Sequence, residues 1–452
     1  MKNCWPLLKI SLAIILLVTP GLAWAEDGYP KLANYYLSFF DARQYQDLAR
    51  WDLLVVQPEM VHYQSSFWTY YKKQQPQGKI LAYTYPAMFY RQFLFYDYWS
   101  WRTNIFKTIE ENNWWLTDTQ GKIAEPWPQT SAINITKEDY RRFNLDYLDK
   151  IFKISTKWDG IFFDMVDIYA SYYQPKGIDI DQDGRNDSPL KIDTAWRVGM
   201  AKFLAESRDK WPNKIIVVNG NDYLAYQSPI NGRMFETWPT PWQGRGTWAD
   251  SMKSYLVKLP AQNKNPQIYI LNGAYNPVDR RDVYAQMRFG LASTLLGDGY
   301  WSFDGGEKSH SELWWFDEYS LDLGEPTNTA YNLLDPTSVE IKAGLWRRDF
   351  TRGVTLVNAT TRAQTINLGA NKFHSFAGLQ DPAINRGEAV DSLTLCPKTG
   401  IILLKQGAPD PDLSGNYLSC YDYQSARGNQ LDWRGRIKNS LEMLIRKIRF
   451  YE

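Results

Sequence analysis

Apolar residues in this chain gather in short continuous runs rather than alternating with polar ones. Such runs lie at 32–36, 52–58, 79–86, 159–167, 214–219, 233–238, 267–272 and 299–304. A strand covered on both faces has no reason to alternate, so these read as strands of a buried parallel sheet. Between most of them the spacing turns helical, at 42–51, 140–156, 194–210 and 283–296. Eight strands with interleaved helices predict the α/β class and a (β/α)8 TIM barrel; a doubly wound sheet is the alternative, and it does not require eight. Two stretches break the rhythm. An aromatic-rich excursion at 88–127 is either a wall of a binding cleft or a packed insertion, and the link between the fifth and sixth strands is short for a crossover helix.

Past about residue 328 the helices stop. Segments 344–349, 353–358, 364–368 and 400–404 are short and separated by turns, which predicts a small antiparallel, β-sandwich-like domain over 328–405. In the remaining tail, 406–452, Ile437, Leu441, Leu444, Ile445 and Ile448 share one helical face and Arg446, Lys447 and Arg449 lie off it. That basic amphipathic helix either packs on the rest of the protein or docks to a surface. At the other end, Lys2 and Lys9 precede an apolar core at 10–18 and the ending Ala23-Trp24-Ala25. This reads as a secretory signal peptide over 1–25, leaving the barrel to occupy 26–327 and placing the protein outside the cytoplasm, secreted or periplasmic. The apolar core is too short to span a bilayer, and no stable membrane span is expected.

Charge narrows the partners. Lys and Arg number 51 against 50 Asp and Glu, which gives no electrostatic footprint for nucleic acid. The 20 Trp and 30 Tyr sit in a chain of mean hydropathy −0.47, so many rings remain partly exposed. Rings stack on the apolar faces of sugars, and a polysaccharide or oligosaccharide is the partner this composition suits. Cys4 departs with the signal, leaving Cys396 and Cys420, which an oxidising compartment would permit to pair, though one pair of cysteines does not establish a bridge.

The chemistry centres on Asp159-Gly160-Ile161-Phe162-Phe163-Asp164-Met165-Val166-Asp167, a buried strand closed by acids. The carboxyl ends of barrel strands form the active-site face. Hydrolysis of an O-glycosidic bond needs one carboxylic acid and one carboxylate. Asp164 and Glu236, ending the fourth and sixth strands, are the candidate catalytic pair, with Asp164 as nucleophile or base and Glu236 as general acid. Asp304, Asp167 and Glu59 are competing acids. Tyr36, Gln57, Tyr85, Asp167, Asn219, Trp238, Asn272 and Asp304 are candidate substrate contacts, and Trp238 and Trp242 are expected to desolvate Glu236. Three His and no Gly-x-Ser-x-Gly leave a zinc site or serine triad without support. A stretch at 179–187 matches the opening of a calcium loop, with Asp179, Asp181, Asp183, Arg185 and Asp187 as candidate ligand positions and Gly184 at the turn. The twelfth position is Leu190 instead of the usual Glu, so a shorter structural Ca2+ loop is expected, and no organic cofactor.

The run 158–167, with Trp115-Leu116-x-Asp118-x-x-Gly121 and Asn134-Ile135-Thr136, resembles hypothetical glycosyl hydrolase family 15 and, more distantly, the α-1,4-polygalactosaminidase-like glycoside hydrolase family 114. The resemblance covers roughly 29–404, and Asp-Gly-Ile-Phe-Phe-Asp is its most specific part. It implies a secreted TIM barrel acting on polysaccharide, with an Asp after the fourth strand and a Glu after the sixth, which are Asp164 and Glu236 here. The short step between the fifth and sixth strands and the added tail depart from that pattern. The alternative from another class is a non-catalytic carbohydrate-binding or envelope-associated protein on a barrel scaffold.

Overall fold

The computed structural model describes residues 28–96, 101–154, 157–174, 176–239, 246–276, 282–306 and 310–414. The signal segment 1–25, Trp242, Cys420 and the helix expected at 434–451 lie outside the described residues.

In chain order the strands are β1 (Ala33–Tyr36), β2 (Leu53–Val56), β3 (Lys79–Thr84), the short β4 (Met88–Tyr90) and β5 (Thr130–Ala132), then β6 (Gly160–Val166), β7 (Ile215–Gly220), β8 (Gly232–Glu236), β9 (Ile270–Ala274) and β10 (Tyr300–Asp304). One sheet runs β1-β2-β3-β6-β7-β8-β9-β10 with every pair parallel. It returns to its start, because Leu32 bridges Trp301 in parallel and the Trp301 N–H donates to the Lys31 carbonyl at 2.8 Å. This is the expected TIM barrel, with β6 as its fourth strand and β8 as its sixth.

The helices are α1 (Tyr45–Leu48), α2 (Met60–Tyr63), α3 (Ser65–Gln74), α4 (Phe93–Tyr96), α5 (Trp101–Glu111), α6 (Glu138–Ile154), α7 (Pro189–Lys210), α8 (Trp248–Lys253) and α9 (Val283–Thr294). Helix α7 starts earlier than its apolar spacing predicts, since Ser188 caps it by accepting from Lys191 N and Pro189 presets its first turn.

Strand parity divides the core into two layers. Tyr35, Val55, Leu81, Tyr83, Phe162, Val217, Met234 and Ile270 fill the barrel interior, while Tyr36, Val56, Ala82, Phe163, Val218 and Phe235 face the helices. Both layers need apolar side chains, which is why the runs do not alternate; truncating a fully buried Phe to Ala in such a layer costs about 3–5 kcal/mol. The short step between β7 and β8 still delivers parallel neighbours, Asn219 opposite Met234. In place of a helix, buried Asn231 ties the link down, accepting from Arg208 at 2.6 Å and Ile216 N at 2.9 Å and donating to the Pro266 carbonyl at 3.0 Å.

The excursion is packed. Strands β4 and β5 pair antiparallel, Trp115 lies against Phe89 and Phe106, and Trp114 against Tyr140 and Phe143. It also reaches the barrel mouth, where Arg102 pairs with Glu59 and stacks 3.5 Å over Phe93.

Beyond the barrel come β11 (Tyr331–Asn332), β12 (Leu345–Asp349), β13 (Gly353–Asn358), β14 (Gln364–Asn367), β15 (Phe373–His374), β16 (Ser392–Leu395) and β17 (Thr399–Lys405). Five form an antiparallel sheet, β11-β12-β13-β17-β15, and β14 pairs with β16. The sheet docks on α9 through Thr355, whose hydroxyl donates to the Ala292 carbonyl at 3.3 Å, while Arg348 bridges to Asp298 at 2.7 Å. Beneath it Arg288 joins buried Glu318 to Asp381. Cys396 is exposed. Among the described residues no helix is long and apolar enough to cross a membrane.

Candidate active site

The mouth of the barrel is built by side chains that continue the interior parity past each strand end. Tyr35, Gln57, Tyr85, Asp164, Asn219, Glu236, Asn272 and Asp304 all fall on that parity, in register with the inward layer of their strands. Strand β6 needs a device to bring both its acids there. Strict alternation would send Asp164 and Asp167 to opposite faces. Phe163 pairs with Val218 and Val166 with Gly220, so β6 spends one extra residue and bulges at Met165, whose φ is +58°. Val166 then faces outward, and Asp167 returns to the side of Asp164. Gly220 makes room for this bulge, because a Cβ there would sit 2.1 Å from the Val166 carbonyl oxygen.

Four donors converge on Asp164. Its Oδ2 accepts from the hydroxyls of Tyr83 at 2.5 Å and Tyr35 at 3.3 Å, and its Oδ1 from Asn219 Nδ2 at 3.0 Å and Met165 N at 2.8 Å. Burial, with the Asp164 charge beside them, pushes both tyrosines well above their ordinary pKa, so they remain donors. The same Asn219 nitrogen lies 3.0 Å from Glu236 Oε2. One amide therefore links the two candidate catalysts, one N–H to each. Glu236, like Asp164, is followed by a left-handed residue: Thr237 has φ +57°, and its hydroxyl bonds the Glu236 carbonyl at 2.7 Å. A β-branched residue in that region is strained by about 1–2 kcal/mol, and strain of this kind gathers at functional sites.

Opposite stands a residue that pattern reasoning missed. His310 Nδ1 lies 2.8 Å from Asp304 Oδ2, and its ring meets Tyr35 edge to face at 4.8 Å. Burial favours the neutral ring, but Asp304, Glu236 and Glu312 overcome it and hold the pKa up at about 9. Asp304 is thus held by His310, by Asn272 at 3.3 Å and by Gly306 N at 2.7 Å. A raised histidine pKa contributes stability fully below its free value near 6.5, and that contribution is lost as pH rises through about 9. His310→Gln should therefore lower the melting temperature most at pH 6 and least above pH 9, a difference that thermal melts across this window measure.

The family model of hypothetical glycosyl hydrolase family 15 matches residues 72–354, from α3 into β13, and takes in Asp164, Asn219, Glu236, Asp304 and His310. The chain belongs to hypothetical glycosyl hydrolase family 15. No curated protein matches it. Solved structures that align with it include the glycoside hydrolase domain of PelA from Pseudomonas aeruginosa, 15% identical, covering 61% of this chain and 94% of that one with a TM-score of 0.40. The α-galactosidase from Lactobacillus brevis is 11% identical, and the alignment covers 87% of this chain and 56% of that one with a TM-score of 0.47.

In this member of hypothetical glycosyl hydrolase family 15, two expected contacts, Tyr36 and Trp238, sit elsewhere than the mouth, and others there are held by neighbouring side chains. Tyr36 belongs to the outward layer and packs on Phe40; its neighbour Tyr35 makes the inward contact. Trp238 is buried against Phe235 and Tyr255, its indole N–H on the Gly290 carbonyl of α9, because the turn at Thr237 swings it off the mouth. Glu59 and Gln57 are engaged by Arg102. Tyr85 stands 2.7 Å from the Tyr83 hydroxyl. Asp167 Oδ2 accepts from Tyr173 at 3.0 Å and Tyr172 at 3.2 Å; burial lifts its pKa to about 6 against those two bonds, and the Asp164 charge adds to the rise.

The 179–187 loop follows Asp167 at a distance in sequence and leads into α7. Oxygens of Asp179, Asp181 and Asp187 lie within 4.8 Å of one another. Asp183 and Arg185 stand apart from that group: the Asp183 carboxylate accepts from Arg185 N at 2.9 Å. Asp179 accepts from Asp183 N and Gly184 N at 3.0 and 2.8 Å, and the Lys191 ammonium lies 2.6 Å from Asp181 and 2.5 Å from Asp187.

Proposed function

We propose that this protein is an extracytoplasmic glycoside hydrolase that cleaves an O-glycosidic bond of a polysaccharide with retention of configuration, Asp164 acting as nucleophile and Glu236 as acid and base. The observation that carries this reading is the shared Asn219 amide, 3.0 Å from an oxygen of each carboxylate. The two N–H bonds of an amide open at about 120°, so acceptors on both stand roughly 5 Å apart, the spacing of a retaining pair rather than the ~6.5–9.5 Å that an intervening water requires.

The groups divide the work. Glu236 gives its proton to the leaving oxygen while an oxygen of Asp164 attacks the anomeric carbon, forming a glycosyl ester and releasing the leaving group as an alcohol. Glu236, now a carboxylate, takes a proton from water as that water attacks the same carbon and expels Asp164. Tyr83, Tyr35 and Asn219 keep the nucleophile oriented through both halves. His310 pairs with Asp304 and so leaves the Asp164 oxygens to their own donors. The signal-like segment at the N-terminus supports a location outside the cytoplasm.

Calcium binding by the 179–187 loop is a separate proposal, supported by the convergence of three carboxylates on one point. Added Ca2+ should raise the melting temperature by a few degrees and a chelator should reverse it. Asp181→Ala should abolish the shift, and Lys191→Ala, which removes the competing ammonium, should enlarge it. A melt indifferent to both calcium and chelator would end the proposal.

The hydrolase reading is tested by reducing ends released from a polysaccharide panel. Release is expected from the wild type and from the exposed control Glu340→Gln, and not from Asp164→Asn or Glu236→Gln. Binding of glycans with no turnover by the wild type would overturn it.

A further inference from the structure

Beside the acids, on the loops that follow β6 and β7, two tyrosines stand exposed: Tyr172 with 57% of its surface open and Tyr223 with 37%. Exposed aromatics are common and need no explanation when isolated. These two are not isolated. Each is held edge to face by a buried tyrosine, Tyr172 by Tyr173 at 4.7 Å and Tyr223 by Tyr226 at 5.1 Å. Both buried partners are anchored on one residue: Tyr173 donates to Asp167 Oδ2 at 3.0 Å and Tyr226 to the Asp167 carbonyl at 3.3 Å. Trp196 of α7 donates to that same carbonyl at 3.1 Å and meets Tyr173 edge to face at 5.5 Å. Tyr172 itself donates to Asp167 Oδ2, and Arg197 lies 6.0 Å from the Tyr223 ring.

A solvated ring ordinarily gains nothing from such scaffolding, which fixes its orientation at a cost in side-chain entropy. Orientation matters when a flat ligand is to land on the ring. The geometry points to a sugar-stacking platform made by Tyr172 and Tyr223, which binds pyranose rings of the polymer beyond the bond being cleaved. Asp167 is its positioning residue, and the bulge at Met165 that turns Asp167 toward Asp164 fixes the platform's place relative to the catalytic pair. This rests on the glycoside hydrolase reading for its ligand class and deepens it by assigning the substrate's extended part.

The test separates binding from turnover. In the Asp164→Asn background, affinity electrophoresis through gels holding soluble xylan, galactan or chitosan should show retardation by at least one polymer. On that polymer Tyr172→Ala and Tyr223→Ala should each weaken binding about fivefold, and together by more than tenfold. Tyr172→Phe, which keeps the ring, should bind as the parent does, and so should Leu224→Ala, a control on the neighbouring exposed residue. In the active enzyme the double Ala variant should raise KM on the polymer by the same factor with kcat little changed. Retardation by none of the three polymers, an unaffected double variant, or a Phe variant as weak as the Ala variant would each overturn the platform. Binding that follows this pattern in a wild type without hydrolytic activity would keep the platform and reject the hydrolase reading.

Discussion

Asp164→Asn should lower kcat by about 10⁴-fold, roughly 5.5 kcal/mol of barrier, while the folded protein should survive. The size follows from what is lost: an amide oxygen cannot form the glycosyl ester, so only binding and the acid remain. Survival follows from the surroundings. Asn keeps the shape of Asp164 and an oxygen for Tyr83 and Tyr35; its NH2 then faces the Asn219 and Met165 donors, a loss set against the relief of charge repulsion with Glu236. Catalytic carboxylates placed this close are held against their mutual repulsion, so the melting temperature should stay level or rise. Parallel measurements of kcat and of thermal unfolding check both halves, and a large fall in melting temperature would mean that Asp164 serves the fold instead.

Glu236→Gln should have the second largest effect, with a size that depends on the substrate. With a sugar leaving group, loss of proton donation costs about 10²–10⁴-fold. With an aryl glycoside whose phenol leaves without help, formation of the glycosyl ester is nearly unaffected and its hydrolysis becomes slow, because no base activates water. The ester then accumulates, and azide, which needs no base, should restore turnover and give a glycosyl azide of retained configuration. A variant equally slow on both substrates and deaf to azide would remove Glu236 from the role and return Asp304 to consideration.

The barrel was legible because its strands are buried on both faces and therefore read as continuous runs. The same property hid the register. In Asn34-Tyr35-Tyr36 nothing in the pattern says which tyrosine looks inward, and the inward one is Tyr35, on Asp164. At strand ends where a single polar residue closes an apolar run, as with Asn219, Asn272 and Asp304, the position alone points to the mouth. Trp238 follows Glu236 closely in sequence, yet a left-handed Thr237 turns it onto α9. The bulge at Met165 leaves no trace in the sequence beyond the odd spacing of two acids, which could be read as one inside and one outside. His310 lay in a stretch without periodicity; it pairs with Asp304 six residues earlier, and closure of the barrel sets it beside Tyr35. Its one available signal was that a chain with 3 His places one of them shortly after an acid ending a barrel strand.

The central claim is that Asp164 and Glu236, linked through one Asn219 amide, form a retaining pair. The most direct measurement is the configuration of the first sugar released, followed by proton NMR of the anomeric signals before mutarotation, on the polymer that the wild type cleaves. The account predicts that the anomer of the substrate linkage appears first and the other grows in later. Initial release of the opposite anomer would contradict it.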